Sequence, residues 1–213
     1  MTDDNPPTDE TEAPLDAARE QALTASVSEA IKGDVDPDAA AANPSPEPGS
    51  GPHALTLYLL RHADAGDPMA WTGDDAERPL SKKGRRQAKR LARHLKDLDV
   101  QPDSILTSPK VRASATAKIV GRGVSRKPVV DERLTIDFGS EALAGLVAGL
   151  DASTGSVMLV GHDPDFTDAV SWLLGAPVSM RKGALAVVDL PEREVGAGRG
   201  LLRWLLPPDA VAD

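Results

Sequence analysis

From Leu55 onward, short apolar runs alternate with longer stretches in which apolar residues recur at helical spacing. Apolar runs of strand length that are bounded by polar or turn residues predict buried β-strands. We expect strands at LTLYLL, DSILTS, KPVVDERL, SVMLVG, GALAVVDL and GLLRWLLP, which begin at residues 55, 103, 127, 156, 183 and 200. Alternating strands and helices predict an α/β domain with three layers, α/β/α, and a mostly parallel central sheet. The last two strands are expected to form a hairpin.

Four helices are expected between these strands, and each has a candidate start. Ser81 is a candidate N-cap for a helix to about Leu98, whose apolar face would contain Ala88, Leu91, Ala92, Leu95 and Leu98. The other candidate N-caps are Ser108, followed by Pro109 and closed by Gly121; Ser140, with a helix through about Leu150; and Asp163, followed by Pro164. Trp172 and Trp204 fit the apolar patterns and are expected in the core.

The first 52 residues have a different character. They are rich in Pro, Asp, Glu and Ala, and twelve acidic residues against Arg19 and Lys32 give this segment a net charge of −10. Such a segment buries too little apolar surface to offset its ordering entropy, so residues 1–52 are predicted to be a disordered acidic tail and linker. A stretch from Pro14 to Gly33 with weak helical spacing is the exception. The folded domain is predicted to span residues 53–213, which carry a net charge of only +1.

Composition excludes several classes of site and of protein. The chain has no cysteine, which removes disulfide frameworks and thiolate metal sites. No apolar run approaches the length of a membrane span, and the N-terminus lacks the features of a secretory signal. We therefore expect a soluble, cytoplasmic protein that has no membrane partner.

Polar residues that can bind an anion follow three of the predicted strands. The first strand ends in Arg61 and His62, a second leads through Ser108 to Arg112, and a third ends in His162 and Asp163. Ligands of open α/β sheets bind at the carboxyl ends of the strands, so these groups are expected to meet. Two guanidinium groups, two imidazoles and helix N-termini favour a compact dianion such as a phosphoryl group. P-loop, dinucleotide-binding and metal-ligand motifs are all missing, which leaves an imidazole as the candidate nucleophile.

The segments LRHADAG, RPLSKKGRRQA, TSPKVRASAT and VGHDPDF, in this order and spacing, resemble the histidine phosphatase (phosphoglycerate mutase-like) superfamily. The short chain without a long insertion is similar to the SixA-type phosphohistidine phosphatases, and the resemblance covers about residues 55 to 206. It implies that His62 is the nucleophile that becomes phosphorylated. It also implies that Arg61, Arg112 and His162 hold the phosphoryl oxygens, and Ser108 is an additional candidate for this role. No cofactor and no metal are expected.

The general acid is left open by the sequence. Members of the superfamily that resemble acid phosphatases use an Asp after the second histidine, here Asp163, and mutase-like members use a Glu, for which Glu132 is the nearest candidate. A third alternative is that no strong acid is needed, because a neutral imidazole leaves from phosphohistidine far more readily than an alkoxide leaves from an ester.

Substrate and partners are therefore expected to be a phosphohistidine protein or a small phosphomonoester, hydrolysed without metal. The alternative is a protein on the same fold that senses phosphate without turnover. A metal-dependent hydrolase is disfavoured because the His162–Asp163 pair follows a strand and few other histidines are present.

The basic run KKGRR has no aromatic residues for base stacking, so nucleic acid is not expected to bind. The loop from Ala63 to Pro79 is either a substrate-selecting rim or a plain connection, and the oligomeric state is open.

Overall fold

In the computed structural model, residues 54–135 and 137–211 are described. The predicted acidic tail and linker, including the helical stretch at 14–33, lie outside the described residues. The described chain forms one six-stranded mixed sheet and four α-helices. No described helix has both the length and the apolar character needed to cross a membrane.

The strands are β1 (Leu55–Arg61), β2 (Ser104–Thr107), β3 (Pro128–Val130), β4 (Ser156–Gly161), β5 (Leu185–Leu190) and β6 (Leu201–Leu206). Their order in the sheet is β3-β2-β4-β1-β5-β6. The β3–β2, β2–β4 and β4–β1 pairs are parallel, whereas β5 runs antiparallel to β1 and β6 antiparallel to β5. The predictions of a mostly parallel sheet and of a C-terminal hairpin are confirmed.

The helices are α1 (Lys82–Asp97), α2 (Val111–Gly123), α3 (Ser140–Ala148) and α4 (Asp165–Leu174). They cover both faces of the sheet, because alternate side chains of a strand point to opposite faces. On one face, Leu91 and Leu95 of α1 and Val120 of α2 pack against β1, β4 and β5. On the other, residues of α3 and α4 such as Leu143 and Phe166 pack against the opposite side of β1 and β4. The predicted three-layer architecture is confirmed.

Register places the ends of β1 and β4 side by side. The two strands pair residue for residue from Thr56–Ser156 to Arg61–Gly161, and the His62 N–H donates to the Gly161 carbonyl at 2.9 Å. A Cβ on Gly161 would lie 2.5 Å from the Phe166 ring, so only glycine lets α4 pack this closely on the end of β4. The residues that follow these strands, His62 and His162, are therefore fixed next to each other by backbone pairing.

Some predicted helix starts are wrong. Ser81 caps α1 as expected, with Oγ accepting from the Gly84 N–H at 3.0 Å. Ser108 is not the N-cap of α2, which begins at Val111 after Lys110, and Gly121 lies within the helix. Asp163 is not the N-cap of α4 either, because the helix begins at Asp165 after Pro164. In both places a turn separates the strand from the helix, so the polar side chain remains at the strand end.

Other differences concern the edges of the fold. Ser140 is the first residue of α3 and not its cap, and the helix ends at Ala148. The strand predicted over KPVVDERL is shortened to Pro128–Val130 and is followed by a 3₁₀ turn, Glu132–Leu134. Leu98 and Trp204 are exposed, at 48% and 41%, where the sequence predicted buried positions. Trp204 belongs to the edge strand β6, which has a neighbour on one side only.

Candidate active site

Four of the predicted site residues meet at the carboxyl edge of the parallel strands. His62 follows β1, His162 follows β4, Ser108 follows β2 and Arg112 lies in the first turn of α2. All four side chains are buried, and the centroids of the two imidazole rings are 5.2 Å apart. The prediction that separate strand ends deliver these groups to one place agrees with this geometry.

The His62 ring is held in one orientation by contacts at both nitrogens. Nδ1 lies 2.7 Å from the Ala63 carbonyl oxygen, which can only accept, so Nδ1 carries the proton when the ring is neutral. Nε2 is then the atom with the free electron pair, and it accepts from Arg112 Nε–H at 3.3 Å. Burial lowers the pKa of His62 to about 4, opposed by the hydrogen bond to Ala63 and assisted by Arg112, Arg61 and Arg78. His62 is consequently neutral at pH 7.

His162 is anchored through Ser108. Its Nε2 lies 2.8 Å from Ser108 Oγ, and the same hydroxyl oxygen accepts from the Lys110 N–H at 3.3 Å. Nδ1 of His162 is buried and has no hydrogen-bond partner among the described residues. Burial, assisted by His62, Arg112 and Lys110 and opposed by Asp75, lowers the pKa of His162 to about 3. One ring nitrogen is thus committed to the protein and the other is left for a ligand.

Arg61 is fixed by one end of its guanidinium group. Nη1 donates to the Met180 carbonyl at 2.5 Å and lies 3.3 Å from Asp163 Oδ2. Nε is buried without a partner among the described residues. Arg61 therefore retains a donor, Nε, and His162 retains a ring nitrogen, Nδ1, and both atoms are buried.

Arg112 joins the site to the preceding loop. Its Nη1 donates to the Asp75 carbonyl at 2.6 Å, and its Nη2 lies 2.9 Å from Asp75 Oδ2. Because Nε faces His62, the three nitrogens of one guanidinium group connect the imidazole to a loop residue 13 positions after it.

Asp75, Arg78 and Lys110 are site residues that the sequence analysis missed. The Asp75 carboxylate contacts Arg78 Nε at 3.0 Å and Lys110 Nζ at 3.8 Å, in addition to Arg112. Partial burial acts to raise the pKa of Asp75, but hydrogen bonds from Arg78 and Arg112 outweigh it and lower that pKa. Lys110 could have been suspected because it lies inside the TSPKVRASAT segment. Asp75 had no signal, since the loop has no periodicity and its path is set by tertiary contacts.

The two candidate acids have different surroundings. Asp163 pairs with Arg61, and its Oδ1 accepts from Thr167 Oγ1 at 2.5 Å. Glu132 is exposed in the 3₁₀ turn after β3, and within 54–135 and 137–211 its carboxylate has no hydrogen bond or ion pair. Of the two, only Asp163 touches a residue of the site.

This arrangement suits a tetrahedral oxyanion. Arg61, Arg112 and Lys110 supply positive charge, and Arg61 Nε and His162 Nδ1 are buried without partners among the described residues. Guanidinium groups and ring N–H groups bind oxyanions strongly when water is excluded. In the described part of the chain, no group of three or more His, Asp or Glu side chains is arranged to hold a metal ion.

Comparison with known proteins agrees with this geometry. Residues 57–175 match the histidine phosphatase superfamily (branch 1), and these residues make up more than half of the chain. The chain belongs to the histidine phosphatase superfamily. The resemblance expected from the four sequence segments, including its similarity to the SixA type, is confirmed.

Its relatives include phosphohistidine phosphatase SixA of Escherichia coli, which is 28% identical over 159 residues, 72% of this chain and 94% of the relative. A solved structure of the protein histidine phosphatase SixA complexed with tungstate is 26% identical, with a TM-score of 0.64 over 72% of this chain and 97% of that one. A SixA protein described as a phosphohistidine phosphatase from Agrobacterium tumefaciens is 28% identical, with a TM-score of 0.62 over the same shares. This histidine phosphatase therefore shares almost the whole length of its SixA relatives.

Proposed function

We propose that this histidine phosphatase hydrolyses phosphohistidine on proteins through a covalent intermediate on His62, without a metal ion. One observation carries the proposal: His62 Nδ1 is tied to the Ala63 carbonyl at 2.7 Å, while Nε2 faces Arg112 in a buried oxyanion site. The lowered pKa of His62 keeps Nε2 unprotonated near neutral pH, as a nucleophile requires.

In the first step, the Nε2 electron pair forms a bond to phosphorus while the bond from phosphorus to the leaving group breaks. The leaving group takes the electrons of the broken bond, and the phosphoryl group is now on His62. We assign Arg61, Arg112 and His162 to bind its three peripheral oxygens, whose charge must be stabilised in the transition state. Ser108 holds His162 from behind and is fully buried, so we assign it a positioning role and not a direct phosphate contact.

In the second step, water attacks phosphorus and the bond from phosphorus to His62 Nε2 breaks. Inorganic phosphate leaves, and Nε2 recovers its electron pair. Asp163 is the better candidate to receive the proton from water, because its carboxylate lies next to Arg61 of the site. Glu132 remains the weaker candidate, since no contact links its carboxylate to the site.

Phosphohistidine is favoured as the substrate by two considerations. SixA relatives that match nearly their whole length are named phosphohistidine phosphatases. In addition, an imidazole can depart with little protonation, unlike the alkoxide of a phosphate ester, so its departure does not depend on a strong acid.

The covalent intermediate is tested with a labelled phosphodonor, in EDTA, followed by a rapid quench that avoids acid. We expect an acid-labile, alkali-stable label on the wild type and on His94→Ala, which alters a histidine of α1 outside the site. His62→Ala should carry no label and show no turnover while remaining folded. Label that survives in His62→Ala contradicts the assignment of the nucleophile, and loss of wild-type turnover in EDTA contradicts independence from metal.

The substrate class is tested by comparing kcat/KM for a phosphohistidine-containing protein with kcat/KM for a small aryl phosphomonoester. The protein substrate is expected to be hydrolysed more efficiently. A preference for the ester would reject phosphohistidine protein as the substrate but leave the His62 chemistry intact. Phosphate binding without turnover of either substrate would favour a phosphate sensor.

A further inference from the structure

Positive charge is concentrated on one side of the domain. Residues 82–127 contain 14 Lys and Arg against three Asp and Glu, whereas residues 128–180 contain one Arg against eight Asp and Glu. The first range includes α1 and α2 and the second includes α3 and α4, which pack on opposite faces of the sheet. We call the exposed Lys and Arg side chains of α1 and of residues 118–127 the basic face.

Helix stability does not explain the charge of α1. Four cations lie in its first five residues and no acidic residue lies in its first turn. The N-terminal end of a helix carries partial positive charge, so cations there are unfavourable. Lys89 and Arg93 are also one turn apart, and like charges at this spacing repel each other. These interactions oppose folding, and an anionic partner would relieve them.

Most cations of α1 are also accessible to an anionic partner. Six of its exposed side chains form no ion pair with any acidic residue of the described chain: Lys82, Lys83, Arg86, Lys89, Arg93 and Lys96. Protein surfaces ordinarily intersperse both signs of charge. A surface that repeats one sign over two neighbouring helices produces a field that attracts anionic macromolecules.

A groove between α1 and α2 adds an apolar element to the basic face. It has a volume of about 230 Å³, and it is lined by Ala92, Ile119 and Gly123 together with Lys89, Arg93, Lys96 and Arg122. The helices approach closely here, because a Cβ on Gly123 would lie 2.6 Å from the Ala92 carbonyl oxygen. Small residues and one isoleucine therefore lie between cations of both helices.

We infer that this groove and the surrounding cations dock an acidic segment of the phosphoprotein substrate, with an apolar side chain seated over Ile119. The inference rests on the proposed function and specifies the kind of protein substrate. Residues 82–127 contain no Phe, Trp or Tyr, which disfavours single-stranded nucleic acid, because its bases stack on aromatic side chains. A membrane surface is disfavoured because the apolar side of α1 packs on the sheet and not outward.

The distance from the active site to the groove predicts how far the acidic segment lies from the phosphohistidine in the substrate. Arg112 of the active site and Arg122 of the groove are ten residues apart on α2, which corresponds to about 15 Å along a helix. An extended chain covers about 3.3 Å per residue, so the acidic segment is expected about five residues from the phosphohistidine.

Binding is tested with the full chain and a fluorescein-labelled peptide of glutamate and aspartate residues with one central leucine. We expect saturable binding that weakens with salt. The affinity should fall about tenfold or more in Arg93→Glu/Arg122→Glu, because the two introduced glutamates repel the acidic peptide. Arg199→Glu is the control, because Arg199 is an exposed cation outside the basic face, and it should bind as the wild type does. Absent binding, an equal loss in the control, or tighter binding of a single-stranded oligonucleotide or anionic vesicles would overturn the inference.

Turnover separates this inference from the proposed function. Arg93→Glu/Arg122→Glu should lower kcat/KM for a phosphohistidine protein with a neighbouring acidic segment, with unchanged kcat/KM for a small phosphoramidate. If the variant has the same kcat/KM as the wild type for each of the two substrates, the docking surface is rejected and the phosphatase chemistry is unaffected. If the wild type hydrolyses neither substrate, the proposed function fails, and the peptide measurement alone decides whether the basic face binds acidic segments.

Discussion

Arg112 holds Asp75 by both its backbone carbonyl, at 2.6 Å, and its carboxylate, at 2.9 Å, while its remaining nitrogen faces His62. The same carboxylate contacts Arg78 and Lys110, so three cations at the site share one anion that belongs to the protein. A bound phosphate and the Asp75 carboxylate would then compete for the same cations.

Asp75→Asn should therefore tighten the binding of inorganic phosphate. The Asp75 side chain is 53% exposed, so solvent screens its ion pairs, and we expect the inhibition constant for phosphate to fall about threefold to fivefold. Product inhibition of the steady-state rate measures this. Asp74→Asn is the matched control, because Asp74 caps the same 3₁₀ turn without an ion pair to Arg112. Unchanged or weaker phosphate binding in Asp75→Asn would show that the carboxylate does not compete.

Acidification should destabilise the fold through the two buried histidines. Their pKa values are lowered from 6.5 to about 4 for His62 and about 3 for His162, so between pH 6.5 and 4 the unfolded chain binds protons that the folded chain does not. Stability is then lost as pH falls, by up to about 1.4 kcal/mol per pH unit for each histidine.

The measurement is the free energy of unfolding in urea as a function of pH. His62→Asn and His162→Asn should each have a shallower slope than the wild type between pH 6.5 and 4, with a constant offset above pH 7.5. Parallel curves for wild type and both variants would contradict the lowered pKa values.

Ser108→Ala should impair the site by releasing His162. The buried Nε2 of His162 would lose its partner at 2.8 Å, which costs about 1–3 kcal/mol and loosens the ring. We expect lower stability and weaker phosphate binding together. Ser104→Ala is the control in β2, the strand that Ser108 follows, because the Ser104 hydroxyl is buried without a hydrogen-bond partner in the described chain. If both variants behave alike in phosphate binding, Ser108 has no positioning role.

Two glycines in helices should respond oppositely to alanine. A Cβ on Gly84 would lie 1.9 Å from the Asp64 carbonyl oxygen, which belongs to the loop after His62, whereas a Cβ on Gly145 would meet nothing within 4 Å. Gly84→Ala should destabilise by about 2 kcal/mol or more and reduce activity. Gly145→Ala should stabilise by about 0.5–1 kcal/mol through helix propensity. Thermal unfolding of both variants checks this, and a stabilised Gly84→Ala would contradict the close contact.

Asp163→Asn and Glu132→Gln distinguish the two candidate proton-transfer groups. Removal of a general acid or base costs about 10²-fold or more in rate, and only Asp163 contacts the site. We expect Asp163→Asn to slow hydrolysis of the phosphoenzyme and Glu132→Gln to leave it unchanged. Single-turnover decay of the label on His62 is the measurement, and the reverse ranking would exchange the two roles.

The sequence predicted the parts of this molecule that depend on local pattern. The apolar runs that end in Arg61–His62 and in His162 located two strands and, through sheet geometry, the convergence of the site. Ser108 and Asp163 were misread as helix caps, because a capping side chain and a site residue at a strand end have the same residue types and the same neighbours. Trp204 was misplaced because an edge strand and a central strand can share one apolar pattern. Asp75 depends on the path of a loop, and no local pattern contains that path.

The pairing of β1 with β4 carries a consequence for the evolution of this enzyme. Arg61 lies opposite Gly161 in the ladder, and each is followed at once by a histidine, so the 5.2 Å between the imidazoles reflects the repeat between neighbouring strands. The chemical centre is thereby inherited from main-chain geometry, which side-chain substitutions elsewhere leave untouched. Loops, rim and charged surface can then vary while the pairing of β1 with β4 keeps the backbone positions of the two histidines next to each other. A pair of adjacent parallel strands, transplanted with its register, is the smallest unit that would carry this spacing into another scaffold.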